Sequence, residues 1–212
     1  MDSKKGKVYI SSFQRGKKHP TIENVININV TSGSINKICG HKAKTMSPMF
    51  LKTKEGVIFE NYWQYGKKFK ELGHEDRTTW LEFKKKGHLR TKGDRHPKGT
   101  KTNEIKYTIN KNGKNINFYR YLTAYSSEYN NEEMDYLTSR LKIYIPLYEE
   151  LVKETNAFKE LKKKVDEGYS IMILDFDGPP KPMEVTLENI NKMKYDTSRP
   201  YGHGYVIANL LI

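Results

Sequence analysis

Apolar and polar residues follow patterns that predict several short strands. Residues 7–13 (KVYISSF) and 24–30 (NVININV) cluster β-forming side chains and predict strands. Residues 170–176 (SIMILDF) are a nearly unbroken apolar run, which predicts a buried strand. Residues 105–122 predict a β-hairpin, because the Asn-Gly pair at 112–113 favours a tight turn between its two β-rich halves.

Helical spacing dominates three other segments. Residues 47–72 predict a strand, a tight turn at 54–56, a second short strand and then a helix. Residues 132–168 predict a mostly helical stretch that Pro146 breaks or kinks and Gly168 ends. Residues 201–212 predict a final helix led by glycine. We therefore expect one α+β domain over residues 1–212, mostly helical, with several short strands and the hairpin.

Composition excludes several classes of protein. A chain of 212 residues with 36% hydrophobic and 12% aromatic content is long and apolar enough for one folded domain. No apolar stretch is long enough for a membrane span, and from the basic start MDSKKGK we expect no signal peptide. Cys39 is the only cysteine, which excludes a disulfide framework. A cytoplasmic protein without membrane contact is expected, and the abundant Lys, Asn and Ile are typical of AT-rich viral or phage coding sequence.

The formal net charge of +13 favours a polyanionic partner such as nucleic acid or a nucleotide. The excess is concentrated in residues 83–101 (FKKKGHLRTKGDRHPKGTK), where Asp94 is the one acid. Glycines and a proline predict a loop there. Such a loop either is merely solvated or contacts phosphate; for the second case Arg95 and Lys98 are candidates, because Arg and backbone N–H groups bind phosphate.

The phrase LDFDG resembles the first motif of haloacid dehalogenase-type phosphatases, in which Asp175 is the nucleophile and Asp177 the acid/base. That motif opens the fold in those enzymes, whereas only 37 residues follow Asp175 here. The residue after the glycine is Pro179, where a Thr is usual. We therefore reject a phosphatase. Phosphate-binding glycine motifs, HExxH and GxSxG are also absent, and the six scattered histidines predict no metal site.

Residues 59–72 predict an amphipathic helix with an aromatic stripe. Glu60, Gln64 and Lys67 follow each other at i, i+4 and i+7 beside that stripe. Either these side chains are solvated, or Glu60 lies at the edge of an aromatic pocket next to Trp63. A carboxylate in such a pocket suits hydrolysis through an oxocarbenium-like transition state, because it faces developing positive charge.

The chain resembles the NADAR (YbiA-like) family of N-glycosidases over roughly residues 44–211. Three blocks occur in the family's order: residues 44–69, which are similar to its EHYFQAQKF helix with Asn61 in place of His; residues 140–175; and residues 200–211 (PYGHGYVIANLL). The family's D-x-x-WG is absent, and DFDGPP stands in its place. Residues 83–122 look like a basic loop and hairpin insertion.

The resemblance implies hydrolysis of an N-glycosidic bond between a phosphorylated ribose and a base, as in ADP-ribosylated guanine or a ribosylamino-pyrimidine phosphate, without a cofactor. It implies catalytic roles for Glu60 and for Asp175 or Asp177. The substrate-binding residues that it implies are Tyr62, Trp63, Gln64, Lys67 and His203, with Arg95 and Lys98 for phosphate. A non-catalytic binder of nucleic acid or ADP-ribose, and a transferase on the same scaffold, remain alternatives.

Overall fold

The structure is a computed structural model that describes residues 5–14, 17–31 and 43–212; Cys39 lies outside these ranges. Within them the chain forms a mixed α/β fold of helices and three sheets. The strands are β1 (Val8–Ser12), β2 (Val25–Asn29), β3 (Lys67–Lys68), β4 (Lys101–Lys111), β5 (Lys114–Tyr121), β6 (Ser126–Tyr129), β7 (Glu132–Met134), β8 (Ser170–Asp175) and β9 (Met183–Glu184). The helices are α1 (Phe59–Tyr65), α2 (Arg77–His88), α3 (Tyr136–Ser139), α4 (Ile145–Lys153), α5 (Asn156–Asp166), α6 (Leu187–Tyr195) and α7 (His203–Leu211).

The main sheet has the strand order β2-β8-β1-β9, in which β2, β8 and β1 run parallel and β9 is antiparallel. The central strand β8 is apolar on both faces, with the neighbouring residues Met172 and Ile173 both fully buried, as parallel strands require. Helices α5 and α7 pack against this sheet. Because parallel strands end at the same edge, Asp175 lies beside Ser12 at the carboxyl edge of the sheet.

Several elements predicted from the sequence are confirmed. The strands at 7–13, 24–30 and 170–176 are β1, β2 and β8, and the hairpin is β4 and β5 with its turn at 112–113. Asn112 and Gly113 both have positive φ, as a tight hairpin turn requires. The last helix also forms, with Gly202 as its N-cap. Gly168, with φ of 96°, follows the end of α5.

Four predictions differ from the structure. The two strands predicted around the turn at 54–56 are reduced to an isolated bridge between Lys52 and Ile58. The helix predicted at 59–72 ends at Tyr65, because the chain turns at Gly66, where a Cβ would lie 2.7 Å from the Tyr129 ring, and enters β3. The predicted loop at 83–101 is helical up to His88, since α2 is capped by Asp76 and anchored by the buried Trp80.

The long helical stretch predicted at 132–168 starts later and is divided. β7 occupies its first residues, and a π-helical turn spans Arg140–Tyr144 between α3 and α4. Pro146 does not break the helical path, because it lies in the first turn of α4, where its missing N–H costs little.

Strand β8 is the third of the parallel strands in chain order, not the first. Three of the four strands of the sheet are parallel, but the Asp175 strand is not the first of them, as the phosphatase motif requires, so the phosphatase assignment stays rejected. Among the described residues, no helix has the length and apolarity needed to cross a bilayer.

Candidate active site

Three acidic side chains from distant parts of the chain line one cavity of about 250 Å³. Glu60 comes from the first turn of α1, Asp175 from the end of β8, and Asp177 from the turn that follows. Arg95 and Lys67 line the same cavity, so cationic groups face the carboxylates. The cavity therefore combines groups for acid/base chemistry with groups that attract an anion.

On the α1 side, three side chains form a hydrogen-bonded relay. Gln64 Nε2 donates to Glu60 Oε1 at 2.9 Å, and Lys67 Nζ donates to Gln64 Oε1 at 2.8 Å. The amide thus connects the carboxylate to the ammonium while both charges face the cavity. The spacing of i, i+4 and i+7 brings these residues together as the sequence indicates, although Lys67 already belongs to β3.

Burial lowers the pKa of Lys67 to about 8, against the opposing effect of the Glu60 carboxylate. Lys67 is therefore charged at neutral pH and loses its proton on mild alkalinisation. Its ammonium also lies 5.0 Å from the centre of the Trp63 ring, a cation–π distance. A partly desolvated ammonium of this kind is a strong attractor for a phosphate group.

Asp175 is held rigidly at the base of the cavity. It is 1% exposed, and its carboxylate accepts the Gly204 N–H at 2.8 Å and the Phe176 N–H at 2.7 Å. A Cβ at Gly204 would lie 2.5 Å from the Asp175 Cβ, and one at Gly202 would lie 2.5 Å from an Asp177 oxygen. The glycines of the GHG sequence are therefore needed for α7 to approach the two acids.

His203 stands between the carboxylates and the core. Its Nε2 lies 2.8 Å from the Val30 carbonyl, which can only accept, so Nε2 carries a proton. Its Nδ1 lies 3.4 Å from Asp175 Oδ2, and this contact becomes an ion pair when the imidazole is protonated. His203 is 4% exposed, which makes it a positioning group for Asp175 as well as part of the cavity wall.

Asp177 is the acid best placed to exchange a proton. Its burial, followed by the negative charge of Asp175, raises the pKa of Asp177 to about 6, while His203 and Arg95 oppose the rise. Asp177 is half-buried, whereas Asp175 is buried. With a pKa of about 6, Asp177 can gain or lose a proton near neutral pH. Two neighbouring acids with different environments are a recurrent arrangement for acid/base catalysis.

Aromatic side chains form the far wall. Trp63 is 7% exposed and stacks on Tyr129 at 6.0 Å with an interplanar angle of 12°. Tyr144 lies 4.9 Å from Trp63 and also lines the cavity. Since Tyr129 and Lys67 occupy positions over the Trp63 ring, a ligand reaches its edge more readily than its face.

A second, larger cavity of about 510 Å³ shares a wall with the first. Gln64, Lys67 and Arg95 line both, so the two cavities form one cleft. The second also contains His96 and Arg199. Arg95 stands at the junction, with its guanidinium 5.6 Å from the Phe176 ring. The cleft is thus large enough for a nucleotide-sized ligand and carries cations along its length.

Sequence reasoning missed Arg140, which lines the smaller cavity from the π-helical turn. It is 1% exposed and donates to the carbonyls of Lys194, Asp196 and Arg199 at 2.8 to 3.1 Å. These hydrogen bonds hold the segment that precedes Pro200 in place. That segment and Pro200 line the cleft. The sequence contained a signal for its burial, because Arg140 lies four residues before Tyr144 and therefore on the same buried face of the helical segment.

Two predicted residues do not join this cleft. Tyr62 points to the other side of α1, where it stacks on His88 at 5.7 Å and lines a separate cavity of about 460 Å³. The helical period explains this, because Tyr62 is two residues, or about 200°, from Glu60. Lys98 is exposed in a turn and lines neither cavity of the cleft, whereas the nearby Arg95 lines both.

The described residues contain no group of three or more His, Cys, Asp or Glu side chains that could hold a metal ion. No family model, curated protein or solved structure matches the chain.

Proposed function

We propose that the cleft hydrolyses an N-glycosidic bond between a phosphorylated ribose and a base, on a divergent NADAR (YbiA-like) domain. The observation that carries the proposal is the presence of Glu60, Asp175 and Asp177 on one cavity with Lys67 and Arg95. The resemblance of three sequence blocks to that family supports the same reaction. ADP-ribosylated guanine, free or in nucleic acid, and ribose phosphates attached to a base-like amine are the substrates proposed.

In the proposed reaction the C1′–N bond breaks and its electron pair leaves with the base. Glu60, held by Gln64, faces the positive charge that develops on the ribose and stabilises it electrostatically. Asp177, protonated below pH 6, donates its proton to the leaving nitrogen. Water then adds to C1′ and returns a proton to the ionised Asp177, which restores the starting state.

Asp175 has a positioning role in this scheme. Its oxygens are occupied by two backbone N–H groups, and its fixed charge helps to keep the proton on Asp177. Lys67 and Arg95 bind phosphate of the substrate, and Arg140 keeps the 194–200 segment in place. The edge of Trp63 contacts the ribose or the base.

The experiment is a panel of ADP-ribosylated guanine, ADP-ribosylated DNA and nucleoside monophosphates, assayed for release of the free sugar phosphate or of ADP-ribose. Release from at least one substrate, with oxygen from labelled water at C1′ of the product, is expected. Binding of these ligands without any release would favour a non-catalytic binder. Transfer of the sugar to an added nucleoside, without incorporation of labelled oxygen, would favour a transferase.

A further inference from the structure

The hairpin of β4 and β5 is an exposed two-stranded ribbon outside the main sheet. The two strands pack chiefly on each other, and almost every residue in them is exposed or half-buried. Eleven residues in β4, at about 3.3 Å each, give a ribbon of about 35 Å. Two-stranded ribbons of this kind fit the major groove of duplex DNA, and one helical turn is about as long.

The ribbon carries five basic side chains and one carboxylate, Glu104. The basic residues are spread from its base to its tip: Lys101, Lys106, Lys111, Lys114 and Arg120. The like charges on this ribbon repel one another, and together they attract a polyanion. Charge complementarity therefore selects a chain of phosphates as its partner.

The two faces of the ribbon offer different contacts. On one face Thr108 is opposite Asn117 and Asn110 is opposite Asn115, and Thr108 Oγ1 donates to Asn117 Oδ1 at 2.9 Å. Amide and hydroxyl groups of this type bond to base edges. The other face places Ile109 opposite Ile116 and Tyr107 opposite Phe118.

Exposing that second face to water costs free energy, because its side chains are apolar and aromatic. Tyr107 is 51% exposed although it stacks on Phe118 at 4.5 Å, and Ile109 is 43% exposed. An exposed apolar and aromatic row beside lysines is what nucleic-acid-binding proteins use to stack bases or to contact thymine methyl groups.

The base of the ribbon is attached to the wall of the candidate active site. Leu122 donates its N–H to the Thr100 carbonyl at 2.7 Å, which closes the ribbon. Tyr121 stacks on His96 at 4.0 Å with an interplanar angle of 15°, and both line the larger cavity of the cleft. A polymer bound along the ribbon would therefore pass directly by the mouth of the cleft.

We propose that the β4–β5 ribbon is a nucleic-acid-binding arm that presents a polynucleotide to the cleft. Binding by the arm stands on the ribbon alone. The further statement that the substrate of the cleft is a modified base in a polynucleotide, and not a free nucleotide, rests on the proposed function.

The test compares two variants that lose the same charge from different surfaces. The arm variant combines Lys106→Gln, Lys111→Gln, Lys114→Gln and Arg120→Gln. The control combines Lys153→Gln, Lys159→Gln, Lys163→Gln and Lys164→Gln on α4 and α5, where all four residues are exposed. Anisotropy of a labelled oligonucleotide, single-stranded and as a duplex, is measured over a range of salt concentrations, and circular dichroism checks folding.

At about 0.1 M salt the arm variant is expected to bind at least ~10-fold more weakly than the wild type, and its log–log salt slope should fall by up to about 3. The control should change both quantities much less. Equal losses in both variants would mean that only net charge matters and would overturn the proposal. The proposal would also be overturned if the free protein formed a dimer that Ile109→Ser dissociates, because a second copy of the chain would then occupy the ribbon.

Substrate length separates this inference from the proposed function. If both are correct, the arm variant keeps its turnover of a free modified nucleotide and loses at least ~10-fold in kcat/KM on the same base in an oligonucleotide. A second outcome is that the wild-type protein binds the oligonucleotide through the arm and releases no product. That result would support the binding role of the arm and contradict the proposed function. Equal kcat/KM losses on both substrates would overturn the presentation role.

Discussion

The cleft and the ribbon hold their polar side chains in opposite environments, since these side chains are buried in the cleft and exposed to water in the ribbon. In the cleft, Glu60, Asp175 and His203 are 5% exposed or less. Asp175 and His203 also make hydrogen bonds to residues far away in the chain, Gly204 and Val30. In the ribbon, polar and apolar groups alike face water, and every pairing is local. Burial in the cleft gives fixed geometry and altered pKa values at a cost in stability, whereas the exposed side chains of the ribbon are free to adapt to a partner.

The two regions should differ most in the free energy of unfolding that is lost when a glycine is replaced by alanine. Gly204→Ala pushes a Cβ against Asp175, at 2.5 Å from its Cβ, and the N–H bond to that carboxylate cannot persist unchanged. We expect a loss of about 3 kcal/mol or more in the free energy of unfolding, because the contact is backbone-fixed on both sides. Urea denaturation measures this.

Gly113→Ala is the matched control in the ribbon. Nothing lies within 4 Å of a Cβ there, and the cost is limited to the positive φ of 72°. We expect about 1 kcal/mol or less, because the strain is confined to a turn outside the core. If the two variants unfold at the same urea concentration, the cleft is not the rigid region that its contacts indicate.

A smaller and opposite effect is expected from Asp177→Asn. The pKa of Asp177 is raised to about 6 in the folded protein, above the value of 3.8 for an unperturbed group. Between these values the folded state holds more protons than the unfolded state, so the stability contributed by this group falls as pH rises from about 4 to 6. Removing the charge should therefore stabilise the protein at pH 7 by on the order of 1 kcal/mol.

The same variant should lose activity. In the wild type, kcat/KM is expected to fall as pH rises above about 6, when Asp177 loses the proton that it donates, and Asp177→Asn should abolish this limb. A variant that keeps the alkaline limb would show that Asp177 is not the proton donor. A variant that is less stable at pH 7 would contradict the raised pKa of Asp177.

The contrast between the regions also explains what could be predicted from sequence. The hairpin follows from local rules, since alternating β-formers and an Asn-Gly turn determine its existence and its register from the turn to the Tyr107–Phe118 pair. Strand β8 and the final helix were equally clear, because apolar runs and a leading glycine are local signals. The early end of α1 was not predictable, because it depends on the ring of Tyr129, which lies 63 residues beyond Gly66.

The cleft was predictable only in part. Helical spacing indicated the relay of Glu60, Gln64 and Lys67, and the end of an apolar strand indicated Asp175. That these groups share one cavity depends on long-range packing, and so does the burial of Arg140. Tyr62 was placed in the site through its neighbours in sequence, although the helical period directs it to another cavity.

The most direct test of the account is the turnover of Glu60→Gln compared with Glu55→Gln, an exposed carboxylate in the preceding turn. On whichever substrate of the panel the wild type cleaves, the loss of charge at Glu60 should lower kcat by roughly a hundredfold or more while substrate affinity is kept. Glu55→Gln should remain within about twofold of the wild type, as exposed charges contribute little. A Glu60→Gln protein with near-normal kcat would contradict the account.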